Sequence, residues 1–241
     1  MHQFLTKLLR LLERTPAHPQ WLALRLKRRQ EPWLAQHATG RTLDIGCADQ
    51  RRDQALGDII TQYTSVDLPA TGGAWYGANP SVWATAEMLP FGDGLFDTVL
   101  MLDVLEHVPD ANRALAEASR VLKDTGVLLL SVPYAYPVHD APFDFRRWTP
   151  HGLMQECRQA RMDIIDSREL GSSVEAGCCA TSIGIAKAML EALKVTPVWV
   201  VLVPFAGLAI TGFNVIGWLL SLVCQDRGFM PLRIHVAARP S

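Results

Sequence analysis

The period of the hydrophobic positions changes several times along the chain. Phe4, Leu5, Leu8, Leu9, Leu11 and Leu12 recur at helical spacing, with Lys7, Arg10 and Arg14 between them. This predicts a basic amphipathic helix ended by Pro16 and Pro19. A second helix is predicted from Trp21 to Gln36, kinked or restarted near Pro32. The middle then alternates. Strands are predicted at 42–46, 63–67, 82–85, 96–102 and 126–132, with helices around 50–60 and 109–122. Thr149 as N-cap and Pro150 in the first turn open a helix to about Ala160, and 162–170 reads as a sixth strand. A helical stretch from about Val174 to Lys194, a long apolar segment and an alternating run at 231–238 close the chain. Near-continuous apolar strands separated by helices predict a doubly wound α/β fold with a mostly parallel, seven-stranded sheet covered on both faces. The organisation expected is basic amphipathic helices over 1–39, a sheet domain over 40–170 plus 228–241, and an apolar helical insert over 171–227.

Charge sharpens that picture. The 241 residues hold 23 Lys+Arg against 24 Asp+Glu, a balance that argues against a dedicated nucleic-acid binder. The distribution is uneven. The first thirty residues carry a net charge of +6, whereas residues 44–110 hold eleven acids against Arg51 and Arg52. At 49 % hydrophobic and 20 % charged the chain is too apolar for disorder, and its apolar excess is concentrated: 195–224 contains no Asp, Glu, Lys or Arg. Cys47, Cys157, Cys178, Cys179 and Cys224 show neither metal-ligand spacing nor a disulfide framework, which suits a reducing cytoplasm. Lys7 and Arg10 interrupt the first apolar run too early for a secretory signal. No residue is assigned to a metal.

The chemistry-bearing residues sit at predicted strand ends. Leu43-Asp44-Ile45-Gly46-Cys47-Ala48-Asp49 delivers an acid and a glycine into a tight turn, and Asp67 ends the second strand. Alone, this pair is equally a turn glycine and a helix-capping acid. Thr85-Ala86-Glu87-Met88-Leu89-Pro90-Phe91 follows, then Phe96-Asp97-Thr98-Val99, then Leu102-Asp103-Val104-Leu105-Glu106-His107-Val108-Pro109-Asp110, then Arg120-Val121-Leu122-Lys123 and Gly126. In this order and spacing the segments resemble the class I S-adenosylmethionine-dependent methyltransferases, with their Rossmann-like sheet. The small-molecule branch that includes quinone-biosynthesis and lipid- or polysaccharide-pathway enzymes is the most similar. The resemblance covers about 40–170 plus the final strand.

It implies roles for matching positions. Asp44, Gly46 and Cys47 would lie against the methionine part of S-adenosylmethionine. Asp67 would hold the ribose hydroxyls, with Leu68, Ala86, Glu87 and Met88 around the adenine. Leu102 and Asp103 would face the amino-acid end and the transferred methyl, and His107 would stand near the substrate, with the pKa range of a general base. A helix-start histidine that merely packs or caps is the other reading of His107. Tyr134, His139, Arg146 and Arg147, in the loop after the fifth strand, are expected to bind the acceptor; a salt-bridge network with Asp140 and Asp144 is the alternative. The family pattern has glycines where this chain has Ala48 and Gln50. If Ala48 needs a positive φ it is costly, which leaves open a non-catalytic interaction module. A nicotinamide-dependent dehydrogenase fits less well, because its glycine fingerprint is missing.

If the last strand returns to the sheet, both ends of the insert lie on one side of any membrane, so it cannot be a single crossing. Pro204, Gly207, Gly212, Asn214 and Gly217 supply break points. A hairpin broken near Thr211–Asn214, with arms of about 15 residues each, is expected at the membrane interface. The basic N-terminal helix would share that surface on the inner face of the membrane. Packing on the domain or in a homodimer is the alternative. The expected activity is methyl transfer to a small, amphiphilic or lipid-linked acceptor.

Overall fold

In the computed structural model, residues 11–49, 52–223, 226 and 228–241 are described. The predicted Phe4–Leu12 helix and the Gln50 departure lie mainly outside them. The chain divides into two compact units, one of 30–134, 138–169 and 233–241, the other of 1–29, 135–137 and 170–232.

The first unit is built on seven strands: β1 (Gly40–Ile45), β2 (Ile60–Asp67), β3 (Val82–Trp83), β4 (Phe96–Leu102), β5 (Leu122–Pro133), β6 (Met162–Leu170) and β7 (Arg233–Pro240). Their order across the sheet is β3-β2-β1-β4-β5-β7-β6. β1, β2, β3, β4 and β5 pair in parallel, and β7 runs antiparallel to β5, with Leu130 opposite Val236. The strand order reverses beside β1 and β4, so their carboxyl ends open onto the crevice where such sheets bind ligands. β4 and β5 are apolar on both faces because helices cover both faces. On one face Leu43, Val99, Met101, Leu128 and Leu130 pack with Ala114, Leu115 and Ala118 of α4 (Ala111–Val121) and Leu153 of α5 (Pro150–Gln159). On the other, Leu100, Leu102, Leu129 and Ala237 pack with Trp33 and Leu34 of α2 (Gln30–His37) and Leu56 of α3 (Arg52–Leu56). Asp110 and Thr149 cap α4 and α5 by accepting from Arg113 N and Gly152 N.

The other unit holds α1 (Trp21–Lys27), α6 (Ser173–Val195), a 3-10 turn (Pro197–Leu202) and α7 (Val203–Ser221). Ser172 and Glu175 form a capping box at the start of α6. Leu22, Leu26, Ala176, Cys179 and Leu232 form the core. Gly217 permits the close approach of α6 and α7, since a Cβ there would lie 2.8 Å from Cys178 Cβ. Asn214 is fully buried, and its amide nitrogen donates to the Pro16 and His18 carbonyls at 2.8 and 2.9 Å.

Three expectations are corrected. The single Trp21–Gln36 helix is two, separated at Arg28–Arg29, and Pro32 sits in the first turn of α2, where a missing N–H costs nothing. The hairpin turns at Thr196–Pro197, not at Thr211–Asn214, because Pro197 cannot continue α6 and Thr196 is extended at φ −151°. The arms are therefore 23 and 19 residues long, not about 15. Ser173–Val195 and Pro197–Ser221 are each long and apolar enough to cross a membrane, with mean hydropathies of 1.3 and 2.0. Val195, Phe205 and Leu208 are more than two-thirds exposed.

Candidate active site at the carboxyl ends of β1, β2, β4 and β5

β1 ends in a turn that only glycine can make at its first position. Gly46 has φ +70°, and a Cβ there would lie 2.4 Å from Val104 Cγ2. Its N–H and that of Cys47 both donate to the Val66 carbonyl, which locks the turn onto β2. Ala48 follows at φ +49°, the left-handed conformation that makes alanine costly. Its N–H donates to Asp67 Oδ2 at 2.7 Å, and Leu68 N donates to Asp67 Oδ1 at 2.7 Å. Asp67 thus holds the backbone of the turn.

Beneath the turn, Asp44 is fully buried. Its Oδ2 accepts from Arg52 Nη1 at 2.6 Å and from Tyr63 Oη at 2.5 Å, while Oδ1 is buried with no hydrogen-bond partner. Burial first, and then the adjacent Asp44 charge, raise the Tyr63 pKa, so Tyr63 stays a donor. Burial, reinforced by Asp44 and Asp67, pushes the Cys47 thiol up to about 11, so it is no nucleophile. Arg52 and Tyr63 were not singled out from sequence; the one signal for them is that a buried carboxylate needs a cation and donors nearby. A cavity of about 400 Å³ beside the turn is lined by Cys47, Ala48, Asp53, Tyr63, Ser65 and Asn79, among others. Of the residues the resemblance assigns to the cofactor, only Cys47 lines it.

The residues fit the cofactor in three respects. The orphaned Asp44 Oδ1 can accept from an ammonium group. The Gly46 backbone comes close with no side chain in the way. Leu68 and Met88 are exposed, as an adenine contact requires. Ala86 and Leu102 are buried and support the site from below. Glu87 accepts from Asp110 N at 2.8 Å, tying its loop to the start of α4. The segment Pro69–Tyr76, a π-helix, overlies Asp67: a Cβ on Gly72 would lie 2.2 Å from the Asp67 carboxyl carbon. Tyr76 Oη donates to Asp140 Oδ2, and Trp75 packs on Phe143 at 5.6 Å.

The acceptor side is built from the loops after β4 and β5. Asp103, at φ +61°, pairs with Arg233 Nη1, which also donates to Ser131 Oγ at 2.9 Å. His107 Nδ1 lies 2.9 Å from the Phe143 carbonyl, and its Nε2 lies 3.8 Å from Glu106 Oε1 and 3.9 Å from Asp140 Oδ2. The His139 ring meets that of His107 edge-on at 4.8 Å. Asp144 accepts from both Arg147 Nη atoms, at 2.5 and 2.7 Å, and from His139 N. Burial opposes its ionisation, but the Arg147 and His139 hydrogen bonds win and hold it at about 2. Arg146 Nη2 donates to the Pro109 carbonyl at 2.7 Å. Arg147 thus pairs with Asp144 as the salt-bridge alternative expects, whereas Arg146 reaches the Pro109 carbonyl and the Trp148 ring instead of an acid. Tyr134 is half-buried and packs on the core beneath. Glu106, also missed, is fully buried, with both carboxylate oxygens lacking a hydrogen-bond partner. Burial, then the Asp103 charge, raises its pKa to about 8.

Comparisons with known proteins agree with this geometry. Residues 43–130 match the family described as Methyltransferase domain. The ubiquinone biosynthesis O-methyltransferase of Xanthomonas oryzae pv. oryzae is 30 % identical over 103 residues, which is 39 % of this chain and 43 % of that one. A Mycobacterium tuberculosis protein, named a probable S-adenosylmethionine-dependent methyltransferase, is 30 % identical over 105 residues, 42 % of this chain and 38 % of that one. This chain thus spans less than half the length of these relatives. Among solved structures, the [4+2]-cyclase SpnF aligns over 88 % of this chain and 80 % of its own, with a TM-score of 0.55 and 19 % identity, a likeness of fold alone. Sheet order, the Gly46 turn and the match over residues 43–130 agree in making this domain similar to the class I S-adenosylmethionine-dependent methyltransferases.

Proposed function

We propose that this chain transfers a methyl group from S-adenosylmethionine to a small amphiphilic or lipid-linked acceptor while held at a membrane by its apolar hairpin. The observation that carries the transfer is the acidic, glycine-turned end of β1 and β2, with Asp44 Oδ1 buried and unpartnered beside Gly46. S-adenosylmethionine supplies there a methyl already activated on a sulfonium. Asp44 accepts from its ammonium group, and Asp67 fixes the turn and receives the ribose hydroxyls. Because the methyl is activated, the chain's main task is to hold the acceptor in line. The hydrogen bond from His107 Nδ1 to the Phe143 carbonyl sets the tautomer that carries the lone pair on Nε2. That lone pair is a base toward a proton or a cation. Asp103 is a positioning residue, tied to Arg233.

Exposed apolar surface of this extent along α7 and the preceding turn supports a lipid contact. Both helices are only 17 % buried, unlike core helices. A two-helix hairpin returns to the side it entered from, as a strand that rejoins the sheet requires. The cytoplasmic face fits the basic N-terminal segment. Flotation of the full chain on anionic vesicles tests this, with Phe205→Glu and Leu208→Glu as controls. Loss of flotation in the variants supports the membrane reading; a stable dimer that does not float supports homodimer packing instead. Ala48 at φ +49° favours a second reading, a non-catalytic interaction module. Transfer of labelled methyl from S-adenosylmethionine into a lipid extract, against no transfer by a folded chain, separates the two.

A further inference from the structure

We propose that Glu106, His107 and His139 form a binding site for a divalent transition-metal cation of the zinc, cobalt or manganese class. One ligand atom from each lies within 4.8 Å of the other two. The two imidazoles come from different loops and pack edge to edge at 4.8 Å, so the loops after β4 and β5 converge on one point. Glu106 is the independent observation. Its side chain is wholly buried, and neither oxygen has a hydrogen-bond partner. A buried carboxyl left without donors is costly, and a cation beside it removes that cost.

The surroundings have the form of an outer shell. A metal-bound histidine ordinarily donates its other ring N–H to a carbonyl or carboxylate. His107 Nδ1 does so to the Phe143 carbonyl at 2.9 Å. His139 Nδ1 lies between Asp144 Oδ2 at 3.2 Å and Arg147 Nη2 at 3.4 Å, which holds the ring in place. Charge is also favourable. Arg147 faces the cluster but is matched by Asp144, and Arg233 by Asp103, so neither stands as an unmatched cation against an ion whose binding releases the Glu106 proton. The His107 and His139 side chains are 21 % and 29 % exposed, which gives an ion a way in.

Two imidazoles and one carboxylate leave coordination positions open. A cation there binds an oxygen of a small molecule and acidifies its O–H, so His107 acts as a ligand and not as the base. This step deepens the methyl-transfer reading, but ion binding itself does not depend on it.

The test uses the full chain without a histidine tag, stripped with a chelator and titrated calorimetrically with Zn²⁺ or Co²⁺ alone. One ion per chain is expected, with Co²⁺ showing visible ligand-field bands. Glu106→Gln and His139→Ala should each weaken binding on the order of 100-fold with unchanged far-UV circular dichroism. Replacing the exposed His151 in α5 with Ala should change nothing. Absence of saturable binding by the folded chain would overturn the proposal, as would binding that survives both substitutions. Because no S-adenosylmethionine is present, that failure is distinct from failure of the methyl-transfer reading.

Discussion

Arg52 Nη1 donates to Asp44 Oδ2 at 2.6 Å where neither side chain reaches appreciable solvent, and Tyr63 donates to the same oxygen. Asp44, one residue before the end of β1, is thus neutralised through one oxygen, while the other is buried without a hydrogen-bond partner. Removing one partner strands a buried charge. Arg52→Ala is expected to lose about 3–5 kcal/mol in urea unfolding, and Tyr63→Phe about 1 kcal/mol.

Ala48 occupies a backbone conformation that an L side chain adopts at a cost of about 1–2 kcal/mol, partly offset by the entropy a glycine would lose on folding. Ala48→Gly should therefore stabilise the chain by about 0.5–1 kcal/mol, read as a raised thermal midpoint, and should not weaken cofactor binding. A lowered midpoint would contradict the strain.

The Pro69–Tyr76 segment covers Asp67 through Gly72 and is latched by the Tyr76–Asp140 hydrogen bond. A ribose reaches Asp67 only after that segment lifts. Tyr76→Phe removes a bond worth about 1 kcal/mol from the closed form, so it should tighten S-adenosylmethionine binding several-fold. Unchanged or weaker affinity would show that the latch does not oppose binding.

His235 lies in the middle of β7, 1 % exposed, with its ring 4.6 Å from that of Trp33 and neither nitrogen hydrogen-bonded. Burial first, then the Arg233 charge, lowers its pKa to about 3. The folded state therefore holds His235 neutral while the unfolded state protonates near 6.5. Its contribution is intact above pH 6.5 and is lost as pH falls from about 6.5 to 3, on the order of 5 kcal/mol in all. His235→Phe should flatten the fall in stability over that window.

Much of this was legible in the residues. Phe96–Leu102 and Met162–Leu170 are strands at the predicted bounds; the first ends in the apolar run Val99–Leu102, and the second alternates in burial along most of its length. Asp44, Gly46, Asp67 and His107 converge at the strand ends because the topology brings those ends together. What escaped depends on non-local packing. The π-helix over Asp67 is held by Trp75 and Tyr76 reaching a distant loop. Arg146 and Arg147 carry the composition of a recognition loop, but Arg146 Nη2 turns to the Pro109 carbonyl and both Arg147 Nη atoms to Asp144. The hairpin turns at Pro197, whereas Gly207, Gly212 and Gly217 lie inside α7, where each glycine costs only about 1 kcal/mol relative to alanine.

The central claim is that the β1–β2 end holds S-adenosylmethionine. Calorimetric titration of the full chain with S-adenosylmethionine tests it most directly. The account predicts one saturable site per chain, weakened at least tenfold by Asp44→Asn and by Asp67→Asn in folded protein. No heat from a folded wild-type chain at about 1 mM S-adenosylmethionine would contradict it.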